Sequence, residues 1–456
     1  INFLGREDLE RNLTKGSVLK NIVLFSLPYL LSYFLQTLYG MADLFIVGQF
    51  EGVESITAVS VGSQVMHMLT VMIVGLAMGS TVMIGKFIGA DKKEEASAAV
   101  GNTVVLFMGV AAVLTIGLLM LVHPVVRVMS TPQEAVSDTV RYLTICFMGI
   151  PFITAYNIIS SIFRGMGDSK SPMYFIGIAC GVNIFLDYLF IGGMSLGASG
   201  AALGTVLSQT ISVITALLVI RRKKTGISIK KYHLKPCSAV MGQILKIGIP
   251  VALQDGFIQI AFIVITIIAN KRGLNDAAAV GIVEKLIGIV FLVPSTMLSA
   301  VSAISAQNIG AGKHERAVRT LKYAVMIAAG FGFTVAIITQ FVSVPVVKIF
   351  TEDAAVAVMG GQYLRSYIWD CMLAGVHFCF SGYFCACGKS GISFIHNSLS
   401  IILARIPGAY LASLYFPNNL YPMGLAAPAG SILSDVICVI AFVYLNKKRK
   451  GSDLLV

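Results

Sequence analysis

Six acidic residues stand inside long apolar stretches of this chain: Asp43, Asp187, Asp255, Glu284, Asp370 and Asp435. An ionisable group at membrane depth costs at least about 2.5–3.5 kcal/mol at a helix centre on insertion scales, so each one needs a partner or a task. Asp43 follows Gln36 by seven residues, two turns along one helical face. Asn183 and Asp187, four apart, also share a face. Thr205, Ser208, Gln209 and Ser212 form a polar stripe, and Tyr142 and Asn157 lie together on another stretch. Where these faces converge, two carboxylates, an amide oxygen and a hydroxyl line one buried pocket. Two carboxylates buried side by side cannot both ionise cheaply, so the pair can hold a proton near neutral pH. The same oxygens suit Na⁺, a hard cation that takes oxygen ligands. Oxygen count alone leaves both chemistries open. Asp255 with Gln259 one turn on, and Asp370 with His377 two turns on, are candidates for a second cation site or for a surface facing substrate. Glu284 beside Lys285 reads as a simple ion pair.

The elements that must carry these residues follow from composition. The chain has 456 residues, 56% of them hydrophobic and 12% charged, against about 25% charged in soluble domains. Mean hydropathy is +0.84. That is more apolar surface than one soluble core can bury, so an all-α integral membrane protein is expected. Runs of about 20 apolar residues are needed to cross the bilayer. Twelve are visible, at roughly 18–47, 53–82, 96–122, 135–162, 171–192, 198–220, 239–269, 277–303, 317–343, 354–385, 391–416 and 422–446. Period-2 alternation bounded by turns is absent from the sequence, which disfavours a β-barrel.

The net charge of +12 is not a nucleic-acid surface. Of 34 Lys and Arg, 26 fall in the termini and the even-numbered loops, among them Arg221 to Lys224 and Lys313 to Lys322. The odd-numbered loops hold only Arg127, Lys271, Arg272 and Lys348. The positive-inside bias therefore predicts a multi-pass protein of the cell membrane with both termini cytoplasmic. The charged stretch Ile1 to Ser17 before a long span is not a cleavable signal peptide in character. Seven of eight cysteines lie in or at the ends of spans and read as small apolar residues, Cys385-Ala-Cys387 included, because no second ligand pair accompanies it. His67, His377 and His396 read as scattered, which disfavours a metal cluster.

The two halves resemble each other at a separation of about 221 residues. Pro28 matches Pro250, Ile88-Gly89-Ala90 matches Ile309-Gly310-Ala311, Gly167 matches Gly388, and Ser169 matches Ser390. An even number of spans per half means both halves enter the membrane in the same sense. The expectation is two six-helix bundles related by a pseudo-two-fold axis near the membrane normal. Residues 1–220 form the first lobe, 221–238 a basic linker and 239–456 the second lobe. Positions matching Asp43, Asn183 and Asp187 in the second half are about Ile265, Ala404 and Gly408. Scaffold is repeated and acids are not, so the acids belong to function rather than to the repeat. Pro28, fifteen residues before Asp43, removes a backbone hydrogen bond and marks a bend point.

These features together resemble the multidrug and toxin extrusion (MATE) family over essentially the whole chain. The resemblance is carried by the duplicated layout, Pro28 to Gly48 with Gln36 and Ala42-Asp43-Leu44-Phe45-Ile46-Val47-Gly48, the Ile-Gly-Ala-x-Lys turns, and Phe163-Arg164-Gly165-Met166-Gly167-Asp168. Asp43 with Asn183, Asp187 and Thr205 is similar to the amino-lobe cation site of the family's DinF-like branch. That likeness implies Asp43 as the main coupling residue, with Gln36, Tyr142 and Asn157 as neighbours and Pro28 as the hinge. The NorM-like branch places carboxylates on the seventh and tenth helices, where Asp255 and Asp370 stand about one turn from the usual places.

The function expected is secondary active export of organic, often cationic, compounds in exchange for H⁺ or Na⁺ by alternating access. The partners expected are small drugs or toxins and membrane lipid, with the chain a monomer and no cofactor beyond the coupling ion. A flippase for lipid-linked precursors or a polysaccharide-type exporter of the same superfamily is the alternative; a flippase would want a basic cavity, whereas the candidates here are mostly acids. No G-x-x-x-x-G-K-[ST] loop is present in the sequence for ATP-driven export, and no nucleophile–base constellation suggests an enzyme.

Overall fold

The computed structural model describes residues 12–222 and 230–453, with side chains described as far as Lys447. The middle of the basic linker, residues 223–229, and the side chains of Lys448, Arg449 and Lys450 in the basic tail lie outside the described residues. Among the described residues, twelve helices are long and apolar enough to cross a membrane. They are α1 Val18–Phe50, α2 Val53–Gly89, α3 Lys93–Met120, α4 Gln133–Gly165, α5 Lys170–Gly193, α6 Gly197–Arg222, α7 Ser238–Arg272, α8 Leu274–Gly310, α9 His314–Lys348, α10 Ala354–Ala386, α11 Ser390–Tyr415 and α12 Tyr421–Lys447. The twelve runs read from hydropathy match them one for one. The helices extend past the apolar runs at several ends, because hydrogen-bonded turns continue into the polar boundary where hydropathy has already fallen.

Local chemistry sets the ends. Asp168 Oδ1 accepts from the backbone N–H of Lys170 and Ser171 at 2.9 and 3.0 Å and starts α5. Asp353 Oδ1 does the same for Ala355 and Val356 at the start of α10. Both satisfy N–H groups that a helix cannot pair internally. Gly167 after α4 and Gly388 after α10 hold φ of 91° and 72°, a left-handed turn that glycine adopts without steric cost. These are the two glycines that the internal repeat pairs, so the duplication is visible in backbone geometry as well as in residue type. Two spans carry π-helical turns: α5 ends in one, Tyr188–Gly193, and α11 contains another, Ile401–Arg405. Each follows or contains a charged residue of interest, Asp187 and Arg405.

The chain divides into two compact units, one of Val23–Gly248 with Gly310–Gly312 and one of Gly16–Ile22, Ile249–Ile309 and Lys313 onward. In the first unit α2 and α4 are the inner helices, with 61% and 72% of their spanning windows buried, and α3 is peripheral at 17%. The second unit repeats this with α8 and α10 inside and α9 outside, at the same three values. Peripheral helices present Val113, Met120, Met326 and Phe341 outward, as a lipid-facing surface requires. The first core gathers Tyr142, Leu143, Phe147 and Ile150 around Val59 and Ala202. The second gathers Val283, Ile287, Tyr363, Tyr367 and Met423.

Apolar contact alone does not drive helices together in lipid, so close backbone approach matters. The first turns of α7 belong to the first unit for this reason. A Cβ on Gly79 would stand 2.1 Å from the Ile244 carbonyl oxygen, and one on Gly248 would stand 2.1 Å from that of Leu76. Neither position admits a side chain without separating α2 from α7. The unit boundary falls inside α7, after Gly248.

Candidate cation site in the first unit

Three helices bring the first-half candidates together. Asp43 on α1, Asn183 and Asp187 on α5, and Thr205 on α6 are all buried. Thr205 Oγ1 donates to Asp43 Oδ2 at 3.1 Å, joining residues 162 apart in sequence. The Asp187 and Asn183 side chains face Asp43 from α5. Beyond the Thr205 hydroxyl the cluster is short of donors. Asp43 Oδ1, both carboxylate oxygens of Asp187 and the Asn183 side-chain oxygen and nitrogen have no hydrogen-bond partner among the described residues. A buried carboxylate without donors is strongly penalised unless positive charge compensates it. Two of them against one another compound the penalty. Positive charge between Asp43 and Asp187, a proton or a bare cation, would lift both penalties.

Gly204 makes this geometry possible, and sequence reasoning missed it. A Cβ there would lie 2.2 Å from Asp187 Oδ1 and 3.6 Å from Asn183 Nδ2. The Asp187 carboxylate thus rests directly on the α6 backbone one residue before Thr205. The only signal in the sequence is the stretch Gly197 to Gly204, rich in small residues, which reads equally as ordinary membrane helix packing. Tyr39, one turn before Asp43, also escaped notice; its hydroxyl lies near the Gln209 side chain on α6. Gln209 itself is buried with its side-chain oxygen unpartnered among the described residues.

The remaining candidates divide. Tyr142 is buried in the core beneath the site, within electrostatic reach of Asp43. Gln36 is half-buried on α1. Asn157 is buried, and its Nδ2 donates to the Ile153 carbonyl at 2.8 Å within its own helix. Part of the α6 stripe is also spent on backbone, Ser208 Oγ on Thr205 O and Ser212 Oγ on Phe175 O, each at 2.9 Å. The second of these ties α6 to α5. Pro28 lies within α1, where Ser32 Oγ donates to its carbonyl at 2.9 Å.

The second unit holds a different arrangement. Asp370 is buried in an ion pair with Arg405, Nη2 to Oδ2 at 2.6 Å, and Ser431 Oγ donates to the other oxygen. Arg405 is the cation that Asp370 needs. Asp370 therefore sits in a closed polar network, and the site that its pairing with His377 suggested is already filled by a guanidinium. His377 Nε2 is 3.3 Å from Ser431 Oγ. Two of the three histidines come together while His67 stays apart in the first unit: the His377 and His396 rings lie 5.5 Å apart, and His396 reaches Ser381 Oγ at 2.9 Å and Ser434 Oγ at 3.2 Å. The α10–α11 hairpin folds these residues, nineteen apart, onto one face. Glu284 does not pair with its neighbour: Thr266 Oγ1 donates to it at 3.1 Å across α7 and α8, while Lys285 is exposed. Adjacent residues on a helix point about 100° apart, so an i,i+1 pair does not meet. Asp255 and Gln259 are half-buried on α7. Among the described residues no group of three His, Cys, Asp or Glu side chains is placed to hold a metal ion.

Twelve membrane-spanning helices in two duplicated halves, with a donor-poor acid pair in the first, are the build of a membrane transporter rather than an enzyme. The MatE family model matches residues 28–189 and 250–411, one copy per half. The chain belongs to the MatE family. It is 29% identical to "Probable multidrug resistance protein YpnP" of Bacillus subtilis, covering 90% of this chain and 92% of that one. It is 25% identical to "Multidrug export protein MepA" of Staphylococcus aureus, over 96% of each chain. In three dimensions it resembles a MATE crystal structure in the straight conformation with a TM-score of 0.88 and 24% identity, covering 98% of this chain and 99% of that one. The last likeness concerns the fold.

Proposed function

We propose that the protein is a secondary active multidrug exporter of the cell membrane, exchanging organic, often cationic, compounds for H⁺ or Na⁺ by alternating access, with both termini cytoplasmic. The observation that carries this reading is the pair Asp43–Asp187, buried together with three carboxylate oxygens lacking donors. The names of the two relatives support the class of cargo. Asp43 holds the coupling ion against Asp187, Asn183 orients toward it, and Thr205 fixes the Asp43 carboxylate from α6. Filling the site removes the negative charge that favours a cationic drug; emptying it restores that charge. Because binding at the site and the state of α1 are linked, the ion changes the conformational balance only as far as it prefers one state over the other.

The test is efflux of an ethidium-like cation from proteoliposomes under an imposed pH gradient and, separately, an imposed Na⁺ gradient. One of the two is expected to drive efflux; if neither does while the dye still binds, antiport is wrong. In the same assay Gly204→Ala is expected to insert normally and raise the ion concentration for half-maximal efflux about tenfold or more. Its new methyl meets the end of the Asp187 side chain rather than backbone, so the carboxylate moves and the helices stay. Unchanged ion dependence in Gly204→Ala would mean that Asp187 does not hold the ion.

A further inference from the structure

Arg164 is buried at the last turn of α4, 7% exposed, and no carboxylate pairs with it among the described residues. Its own motif offers one, Asp168, but that side chain is consumed in capping α5, with Ser171 Oγ donating to its second oxygen at 2.6 Å. The guanidinium turns to α1 instead. Nη1 donates to Tyr29 Oη at 2.9 Å, the guanidinium carbon stands 4.8 Å from the Tyr29 ring centroid, and Nη2 donates to Ser161 Oγ at 3.0 Å. Tyr29 Oη donates in turn to Tyr33 Oη at 2.9 Å, one turn on.

The place where this contact falls gives it a consequence. Tyr29 immediately follows Pro28, which has no N–H to give the Leu24 carbonyl and so opens the α1 hydrogen-bond ladder at that turn. Ser32 bonding back to the Pro28 carbonyl adds a second local perturbation of the kind that bends helices. The stretch from 24 to 32 is therefore the softest part of α1, and Asp43 rides on the same helix beyond it. One charge-assisted hydrogen bond and one cation–π contact anchor α1 at the soft point. A neutral hydroxyl is an acceptor that a guanidinium can release more readily than a carboxylate.

We propose that Arg164 is a positioning residue for the cation site: it clamps α1 through Tyr29 just past Pro28, and α1 bends, carrying Asp43, only when that clamp opens. The functional arm of this proposal rests on the antiport reading; the structural arm does not. Hydrogen exchange is measured by mass spectrometry on the full chain in lipid nanodiscs, comparing the wild type with Tyr29→Phe, Arg164→Lys and Tyr33→Phe. Tyr29→Phe removes one hydroxyl and keeps the ring. Loss of a hydrogen bond to a charged group corresponds to about a tenfold or greater change in a local opening equilibrium. Exchange of the α1 amides near Pro28 is expected to rise by about that factor in Tyr29→Phe and in Arg164→Lys. α5 and α6 should exchange as in the wild type. Tyr33→Phe, which leaves the Arg164–Tyr29 bond in place, should change α1 far less. In proteoliposomes the same two clamp variants should shift the coupling-ion concentration for half-maximal efflux more than they lower the maximal rate. Unchanged exchange in α1, or a rise spread evenly over the whole unit, overturns the clamp. Failure of both gradients to drive efflux overturns the antiport reading and leaves the exchange result standing.

Discussion

Asp43→Asn is expected to bring gradient-driven efflux down to the level of protein-free vesicles while the protein still folds and inserts. The substitution is nearly isosteric, and the amide oxygen can still accept from Thr205 Oγ1, so the α1–α6 contact at 3.1 Å survives. What disappears is one of the two charges that make the cluster hold a cation. With Asp43 neutral, Asp187 has no second carboxylate with which to share a proton, and Na⁺ loses an anionic ligand from a low-dielectric site, where each charge counts for more than in water. Asp187→Asn should have the same sign. The measurement is dye efflux from proteoliposomes under each gradient, with dye binding followed in parallel. Retained binding with lost efflux separates coupling from cargo recognition. A variant that pumps at the wild-type rate would exclude Asp43 as the coupling residue and with it the proposed mechanism.

Arg405→Gln is expected to destabilise the protein by about 3–5 kcal/mol, as removal of one partner from a buried ion pair does. The change leaves the Asp370 carboxylate in a fully buried position with Ser431 as its remaining donor. The double variant Asp370→Asn with Arg405→Gln should recover a substantial part of that loss, because neither side then carries an unpaired charge. Residues in direct contact are expected to be non-additive in this way. Thermal or chaotrope unfolding in detergent, read from Trp369 fluorescence, measures both single variants and the double; Trp369 stands next to Asp370 and is the chain's one tryptophan. Strictly additive losses, or singles within about 0.5 kcal/mol of wild type, would show that the pair does not hold the second unit together. The double variant should still export under the productive gradient, in contrast to Asp43→Asn, because Asp370 is committed to its internal counter-ion.

Asp43 and Asp370 look alike in the sequence. Both are single carboxylates in apolar spans with polar residues one or two turns away. Helical spacing groups Gln36 with Asp43 and His377 with Asp370 on common faces. Spacing carries no information about the facing helix. Asp43 meets a neutral hydroxyl and a second acid; Asp370 meets a guanidinium. The same limit explains Asn157, whose amide satisfies its own helix. It also explains Glu284, whose partner is Thr266 on the neighbouring helix rather than the adjacent lysine.

The membrane setting, the twelve spans, the duplication and the short roster of intramembrane acids are all legible along the linear chain. They follow from local rules: hydrophobic length against bilayer thickness, and glycine or acid residues at turns that need them, as at Gly167, Gly388 and Asp168. Packing between helices was needed to tell which acid is left short of donors and which is neutralised. It also made Gly204 part of the site and turned Arg164 toward α1 rather than toward Asp168. Charge compensation in lipid depends on distances of a few ångströms between helices far apart in the chain. Asp43 and Thr205 are 162 residues apart, and Arg164 and Tyr29 are 135 apart. No periodicity along one helix encodes such distances.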